Sequence, residues 1–150
     1  MEIKFKAIGI AHSPFRKKED IGPYLYSNSN ALEQVQGELE IFKEYEAGLK
    51  DVECFSHLIV IFLFHKCQGF KLQTVPFGDD KMRGIFATRS PHRPNPIGLT
   101  TVKIIKRQGN IIKVAGVDMF EGTPILDLKP YTPKDQNRLS SWVGWKIGRK

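Results

Sequence analysis

The chain of 150 residues carries a net charge of +7, and its hydrophobic content of 41% is enough for the core of one domain, which excludes a disordered chain. Its two cysteines are too few for a disulfide framework, and its longest apolar run, residues 58–64, is too short to cross a bilayer. Because no secretory signal pattern opens the sequence, we expect a cytoplasmic protein.

The first half of the chain predicts more strand than helix. Alternating or continuous apolar residues indicate three strands, at residues 4–11, 37–42 and 57–64. The last of these is continuously apolar, which predicts burial on both faces. Residues 16–30 are polar and contain Gly22 and Pro23, which indicates a loop, and this loop is a candidate ligand contact. Residues 44–55 have apolar side chains near helical spacing and predict a short helix.

The second half predicts further short strands, at residues 71–76, 84–88, 99–107, 110–118 and 125–129. The turn Gln108-Gly109-Asn110 predicts a tight hairpin between two of them. About eight short strands with little helix favour a mainly β fold, a closed or nearly closed β-barrel. We expect one domain over residues 1–150, with a core at residues 4–131. A basic tail at residues 132–150 holds Trp142 and Trp145.

A proline-rich loop lies between the strands predicted at residues 84–88 and 99–107. Pro91, Pro94 and Pro96 remove backbone donors and fix φ, so the middle of the loop is neither helix nor central strand. The loop carries several polar side chains, Arg89, Ser90, His92, Arg93 and Asn95. Two interpretations stand equally well: a rigid loop that presents ligand-binding groups, and a proline-rich surface turn with incidental charge.

The charges are unevenly distributed along the chain. Residues 81–117 contain eight lysines and arginines and no acidic residue, whereas residues 33–53 are predominantly acidic. Such segregation favours an anionic partner, with nucleic acid the obvious candidate. The alternative is a basic protein whose charge only keeps it dispersed.

Common catalytic motifs are absent from the sequence. No Gly-x-Ser-x-Gly elbow, P-loop or Gly-x-Gly-x-x-Gly occurs, and the four histidines have no zinc-type spacing, so no metal site is predicted. Asp127 is either an outward residue of an alternating strand or an acceptor for a ligand's amino or ribose groups. His65 ends the strand at residues 57–64, where it either faces a pocket or bonds a backbone carbonyl.

Four motifs resemble one known family. The central motif is Phe86-Ala87-Thr88-Arg89-Ser90-Pro91-x-Arg93-Pro94-Asn95-Pro96-Ile97-Gly98-Leu99. The others are Ile8-Gly9-Ile10-x-x-Ser13-Pro14-Phe15, Phe64-His65-Lys66, and Glu121-Gly122-Thr123-Pro124-Ile125-Leu126-Asp127-Leu128-Lys129-Pro130-Tyr131. Together they span residues 8–131, and the chain is similar to the TsaA/TrmO-like proteins.

The resemblance implies a homodimeric β-barrel that transfers a methyl group from S-adenosylmethionine to tRNA. The acceptor would be the exocyclic N6 of threonylcarbamoyl-adenosine, next to the anticodon of threonine tRNA. It also implies an active site shared between the two chains. Since the chain ends soon after the core, as in the short members, we expect no second C-terminal domain.

The resemblance also implies site residues. The implied cofactor contacts are His65, Lys66, Arg89, Leu99, Leu126, Asp127, Leu128 and Lys129. The family's Pro-Arg-Gln in the first loop has its nearest match at Gly22-Pro23-Tyr24, which makes Pro23 and Tyr24 the candidates there. The implied substrate contacts are Arg93, Asn95 and Tyr131. We expect a group near Asn95 or Asp127 to take the leaving proton.

Two rival functions stay open at this point. One is an RNA-binding barrel without catalysis, which basic loops and exposed aromatic residues would serve equally well. The other is a methyltransferase for a small molecule, or a metal-responsive regulator, built on the same barrel. Binding of S-adenosylmethionine separates the enzyme from the RNA-binding module.

Overall fold

A computed structural model of the chain describes residues 1–25 and 30–136, so the predictions for Trp142 and Trp145 lie outside the described residues. Within these ranges the chain forms eight strands: β1 (Gly9–His12), β2 (Gln36–Ile41), β3 (His57–Leu63), β4 (Gln73–Thr74), β5 (Arg83–Gly84), β6 (Ile97–Gln108), β7 (Ile111–Ala115) and β8 (Thr123–Pro130). The helical segments are the α-helix α1 (Lys18–Leu25) and the 3-10 turns Asn30–Gln34, Lys43–Leu49, Val52–Cys54, Ile85–Ala87 and Pro133–Asp135.

Six of these strands form a closed antiparallel barrel in the order β1-β2-β7-β6-β3-β8, with β8 pairing back to β1. The predicted barrel is therefore confirmed. Closure leaves no free edge between the first and last strands, which removes a surface prone to aggregation. No helix of the described residues is long and apolar enough to cross a membrane.

The barrel core follows from alternation along the strands. Leu39, Val60, Val102 and Ile112 point inward and are almost fully buried, while their chain neighbours point outward. In β3 every second residue is buried, and the residues between are half-buried. The prediction that β3 is buried on both faces is therefore wrong for the single chain, because the continuous apolar run covers an outer face as well as the core.

The hairpin prediction is confirmed, because Gly109 adopts a φ of +61° in the turn between β6 and β7. The strand predicted at residues 84–88 is wrong, since a 3-10 turn at Ile85–Ala87 replaces it. This turn closes when the Thr88 hydroxyl donates to the Ile85 carbonyl at 2.8 Å. The helix predicted at residues 44–55 is present as two 3-10 turns, Lys43–Leu49 and Val52–Cys54.

The loop predicted at residues 16–30 contains the helix α1. The Asp20 carboxylate accepts the backbone N–H groups of Arg16 (2.9 Å) and Lys17 (3.1 Å), which organises the first turn. Ile21 is buried, so tertiary packing supports a helix despite Gly22 and Pro23. Gly22 and Pro23 favour a loop in the local sequence, whereas the burial of Ile21 is a tertiary effect that the local sequence does not show.

Residues 66–96, here called the excursion, leave the barrel after β3 and return to it at β6. They contain the two-stranded ribbon of β4 and β5. The ribbon is joined to the proline-rich loop because the Lys71 amide donates to the His92 carbonyl at 3.2 Å. The excursion displays exposed large apolar side chains, those of Phe70, Leu72, Val75, Phe77, Met82 and Phe86.

Candidate active site

Strand β3 brings two of the predicted site residues to one face of the barrel. Ile61 is the register partner of Leu99 on β6 and also of Asp127 on β8. The neighbouring Val60 is buried in the core, so Ile61 and its two partners face outward. With strands about 4.8 Å apart, the Cα atoms of Leu99 and Asp127 lie about 10 Å apart across Ile61. We call these three residues the outer row.

A β-bulge in β8 shapes this row. Ile61 pairs with Asp127, whereas Phe62 pairs with Ile125, so Leu126 is the extra residue of the bulge. Leu128 packs against the core, which leaves Asp127 and Lys129 as the outward side chains of this segment.

The carboxylate of Asp127 is held in a fixed orientation. Its Oδ1 accepts the backbone N–H of Leu128 at 2.9 Å, and its Oδ2 lies 2.8 Å from Lys129 Nζ. The side chain remains 46% exposed, so these contacts orient the carboxylate and leave it accessible to a ligand.

His65 and Lys66 lie where β3 leaves the barrel. The His65 amide donates to the Leu63 carbonyl at 2.9 Å, and partial burial together with the nearby Lys66 charge lowers the pKa of the imidazole. His65 is therefore neutral at physiological pH. The Lys66 ammonium donates to the Arg16 carbonyl at 2.5 Å and lies 5.2 Å from the centre of the Phe120 ring, so it joins β3 to the segment before α1.

The proline-rich loop ends beside this strand end. The Phe64 amide donates to the Pro96 carbonyl at 2.7 Å, and Gly98 is the register partner of Phe62. Asn95 is exposed, and its carbonyl accepts the Ile97 amide at 2.7 Å. The structure thus brings the end of the loop, the His65 segment and the outer row to one end of β3.

The two arginines of the loop are in different environments. Arg93 Nη1 donates to the carbonyls of Ile85 (3.2 Å), Thr88 (2.8 Å) and Ser90 (3.2 Å), and its guanidinium lies 5.9 Å from the centre of the Phe86 ring. Arg89 is exposed and has no hydrogen bond or ion pair with the described residues. Arg93 therefore holds the loop in shape, while the guanidinium of Arg89 is available to a ligand.

The remaining predicted residues lie on other parts of the chain, α1 and the segment after β8. Pro23 and Tyr24 are part of α1, where the Tyr24 ring packs edge-on against Phe15 at 5.4 Å. Tyr131 follows β8 and packs against His57, four residues before Ile61 on β3, which is about 13 Å along the strand. Their roles as cofactor and substrate contacts stay predictions.

A network that the sequence analysis missed joins the first strands to the turn before β8. His12 Nδ1 lies 2.7 Å from Glu121 Oε1, and His12 Nε2 lies 3.3 Å from Glu40 Oε1. The Ser13 amide donates to Glu121 Oε2 at 2.7 Å. The hydrogen bond to Glu121 raises the pKa of His12. No local sequence signal indicates this network, because its members lie 28 and 109 residues from His12.

A cleft of about 660 Å³ opens at the opposite end of β3 from His65, and Tyr131 is the predicted site residue that it contains. Thr100 Oγ1 donates to Asp118 Oδ1 at 2.6 Å on its wall, and burial raises the pKa of the Asp118 carboxyl. In the part of the chain that the structure describes, no group of three or more histidine, cysteine or acidic side chains is placed to hold a metal ion.

Comparison with known proteins gives one consistent family. The family model described as tRNA-methyltransferase O N-terminal domain matches residues 10–136. A probable S-adenosyl-L-methionine-binding protein of Pyrococcus abyssi is 41% identical over 143 residues, which cover 95% of this chain and 76% of that protein. The human tRNA (adenine(37)-N6)-methyltransferase is 43% identical over 114 residues, which cover 73% of this chain and 25% of that protein.

A solved structure of TrmO has the same fold. It superposes with a TM-score of 0.78 at 31% sequence identity, and the match covers 96% of this chain and 64% of that chain. This chain therefore spans less than two thirds of the solved protein and a quarter of the human one. The match of the family model over residues 10–136 confirms the resemblance seen in the four motifs. The chain belongs to the family of the tRNA-methyltransferase O N-terminal domain.

Proposed function

We propose that this chain is an S-adenosylmethionine-dependent methyltransferase that acts on the N6 atom of the modified adenosine beside the anticodon of tRNA. The observation that carries the proposal is the convergence at one end of β3. The outer row, the neutral His65 and the end of the proline-rich loop meet there, in a chain similar over 95% of its length to a protein named for binding S-adenosyl-L-methionine.

The side chains at this place suit S-adenosylmethionine. Leu99 is 50% exposed beside Ile61 and offers an apolar surface to a flat adenine ring. The oriented Asp127 carboxylate accepts from ribose hydroxyls or an ammonium group. Arg89 lies earlier in the proline-rich loop, and its exposed guanidinium suits the carboxylate of the methionine moiety. When bound, S-adenosylmethionine supplies a methyl group that is already activated as part of a sulfonium.

The task of the protein is then to position the acceptor nitrogen and receive its proton. An adenine amino group is a weak nucleophile because its lone pair is delocalised into the ring. A hydrogen-bond acceptor close to that nitrogen increases its basicity and accepts the proton that leaves. Asp127 is the group that we assign to receive the proton, and the side-chain oxygen of Asn95 accepts a hydrogen bond that positions the substrate.

The charge distribution supports tRNA as the substrate. The acid-free residues 81–117 include Lys103, Lys106 and Lys113, which are exposed on β6 and β7. These side chains give the barrel a basic outer surface that suits a phosphate backbone. A tRNA substrate also agrees with a cytoplasmic location, which we propose for this chain.

We further propose that the chain acts as a homodimer whose two copies share the active site. The exposed apolar side chains of the excursion support this assembly, since six large ones lie within residues 70–86. Such a concentration of apolar surface is typical of a protein interface. The excursion also carries the proline-rich loop, so a partner seated on it would lie close to the site.

The experiment that tests the proposal is nucleoside mass analysis of threonine tRNA incubated with the protein and S-adenosylmethionine. Two substrates are compared, one with the threonylcarbamoyl group on the adenosine and one without it. We expect a methyl group on N6 of the threonylcarbamoyl-adenosine.

Asp127→Asn, which keeps the shape of the side chain and removes its charge, should lower the rate of methyl transfer at least tenfold. The matched control Glu2→Gln removes one exposed carboxylate elsewhere and should leave the rate unchanged.

Calorimetry with S-adenosylmethionine distinguishes the rival functions. Binding of the tRNA without binding of S-adenosylmethionine would contradict the proposal and favour an RNA-binding module. Binding of S-adenosylmethionine with no methylation of either tRNA would instead favour a methyltransferase for a small molecule.

A further inference from the structure

The cleft at the start of β3 is separate from the outer row and has a chemistry of its own. Its lining combines aromatic, basic and hydroxyl side chains with two acidic ones: Ser56, His57, Thr101, Lys103, Tyr131, Glu33 and Asp118. Its volume of about 660 Å³ lies within the range of small-ligand sites. The cleft opens where β7 ends at Ala115 and leaves the first half of β6 paired with β3 alone.

Two aromatic rings in this cleft are held in place by the protein itself. The His57 and Tyr131 rings meet edge to face at 6.1 Å, and the Tyr131 amide donates to the His57 carbonyl at 3.1 Å. Ser56 Oγ lies 2.8 Å from His57 Nδ1, and the Ser56 carbonyl accepts the Ile104 amide at 2.8 Å. Three separate segments therefore fix the orientation of these rings, and a planar ligand would meet a surface that needs little reorganisation.

A cation and several hydrogen-bonding groups surround the rings. Lys103 is the register partner of His57, is exposed, and forms no ion pair with the described residues. The Thr101 side chain faces outward beside it, and the Asp118 carboxylate, which also lines the cleft, accepts from the Thr100 hydroxyl. An aromatic surface next to a lysine and to hydroxyl and carboxylate groups is chemistry that can bind a nucleotide, with the base on the rings and the phosphate on the cation.

We propose that this cleft binds a nucleotide of the RNA substrate that is close in sequence to the methylated adenosine. The base stacks on His57 and Tyr131, and Lys103 contacts its phosphate. His57 in the cleft lies about 13 Å along β3 from Ile61 of the outer row, so one RNA strand can occupy both places. The identity of the RNA rests on the proposed function, whereas nucleotide binding by the cleft can be tested without methyl transfer.

The test uses the full chain and a seven-nucleotide single-stranded RNA with the anticodon-loop sequence of threonine tRNA, labelled with a fluorophore. Fluorescence anisotropy gives the Kd for the wild type, Tyr131→Leu, Tyr131→Phe, Lys103→Ala and the control Lys50→Ala. We expect Tyr131→Leu and Lys103→Ala to weaken binding about tenfold. Tyr131→Phe keeps the ring and should bind within about twofold of the wild type. Lys50→Ala also removes one positive charge, but outside the cleft, so its Kd should likewise stay within about twofold of the wild type.

A second measurement locates the RNA directly. The same RNA with 4-thiouridine at each position in turn is irradiated with the protein, and the crosslinked peptides are identified by mass spectrometry. We expect crosslinks to the peptides that contain His57 and Tyr131. Crosslinks confined to other peptides, or equal Kd values for Lys103→Ala and Lys50→Ala, would overturn the proposal. Neither result depends on S-adenosylmethionine, so failure of the cleft is distinct from failure of the methyltransferase function.

Discussion

At the scale of single residues, Arg93 stabilises the proline-rich loop by contacts that the shorter lysine side chain does not reach. Its Nη1 atom shares two N–H groups among three backbone carbonyls, and a hydrogen bond from a charged donor contributes about 1.5–3 kcal/mol. We therefore expect Arg93→Lys to lose methyl transfer almost as completely as Arg93→Ala, by tenfold or more. Both variants should also weaken binding of S-adenosylmethionine, because the loop that carries Arg89 changes shape.

The matched control is Arg107→Lys, because the guanidinium of Arg107 also donates to backbone carbonyls, those of Gly109 and Leu49, but lies outside the proline-rich loop. If Arg93 contacts only the phosphate or carboxylate of the substrate, Arg93→Lys keeps most of the activity and binding of S-adenosylmethionine is unaffected. Calorimetry with S-adenosylmethionine and methylation rates for the three variants decide between the two roles.

Gly98 is a residue whose missing side chain shapes the site. A Cβ at this position would overlap the Phe62 ring and come within 2.8 Å of Phe64 Cζ. These two rings pack edge to face at 5.0 Å directly before His65. We expect Gly98→Ala to displace the ring pair and to lower the free energy of unfolding by about 1–3 kcal/mol, as overpacked cores do.

Thermal and denaturant unfolding measure this loss for Gly98→Ala. The matched control is Gly48→Ala, because an added Cβ at Gly48 meets no atom within 4 Å. Equal stability of the two variants would show that the ring pair adapts without cost and would contradict the prediction.

At the scale of elements, His12 joins three parts of the barrel through two carboxylates. The hydrogen bond to Glu121 raises the pKa of His12 above its ordinary value of 6.5. Burial raises the pKa of Glu121, but hydrogen bonds from His12 and from the Ser13 amide outweigh this effect and hold it below the ordinary value of 4.5. Arg16, which lies near Glu121, contributes in the same direction.

These directions determine how stability depends on pH. The contribution of His12 is fully present below pH 6.5 and is lost as the pH rises through its raised folded-state pKa. The contribution of Glu121 to stability is present above pH 4.5 and is lost as the pH falls through the lowered folded-state pKa of Glu121. His12→Gln should therefore destabilise the protein most between pH 4.5 and pH 6.5, and less at about pH 8.5. Since the His12 side chain is 38% exposed, we expect a loss of no more than about 1 kcal/mol.

Urea unfolding of the wild type and His12→Gln at about pH 5.5 and about pH 8.5 measures this dependence. His92→Gln is the control, because His92 is exposed and outside the network. A difference in stability between wild type and His12→Gln that is the same at both pH values would contradict the prediction.

The elements that could be predicted from the sequence are those with strong local patterns. The strands β2, β3, β6 and β7 carry alternating or continuous apolar residues, and Gly109 indicates the hairpin between β6 and β7. The helix α1 and the 3-10 turn at Ile85–Ala87 contain the buried side chains of Ile21 and Ile85, and local sequence patterns do not show this burial. The structure describes a strand β1 that begins only at Gly9, although alternation in the sequence starts at Lys4.

The candidate site shows the same limit. The motifs identify Leu99 and Asp127, but their adjacency depends on β3 lying between β6 and β8 in a register that only the folded barrel defines. The role of Arg93 in shaping the loop likewise depends on the path of the backbone around Ile85, Thr88 and Ser90. Side-chain chemistry was therefore predictable, whereas the distances between side chains were not.

At the scale of the whole molecule, the exposed apolar surface of the excursion predicts self-association. Leu72 is 65% exposed, and burying a leucine side chain contributes about 1.5–3 kcal/mol. We expect sedimentation velocity to show a dimer for the wild type and a monomer for Leu72→Glu. Ile3→Glu is the matched control, since Ile3 is 66% exposed and lies outside the excursion, and it should remain dimeric. If the active site is shared, the monomeric variant should also lose methyl transfer, and mixing it with an excess of Asp127→Asn should restore no activity. A wild type that sediments as a monomer at every concentration, or a dimeric Leu72→Glu, would assign the apolar surface of the excursion to a different partner.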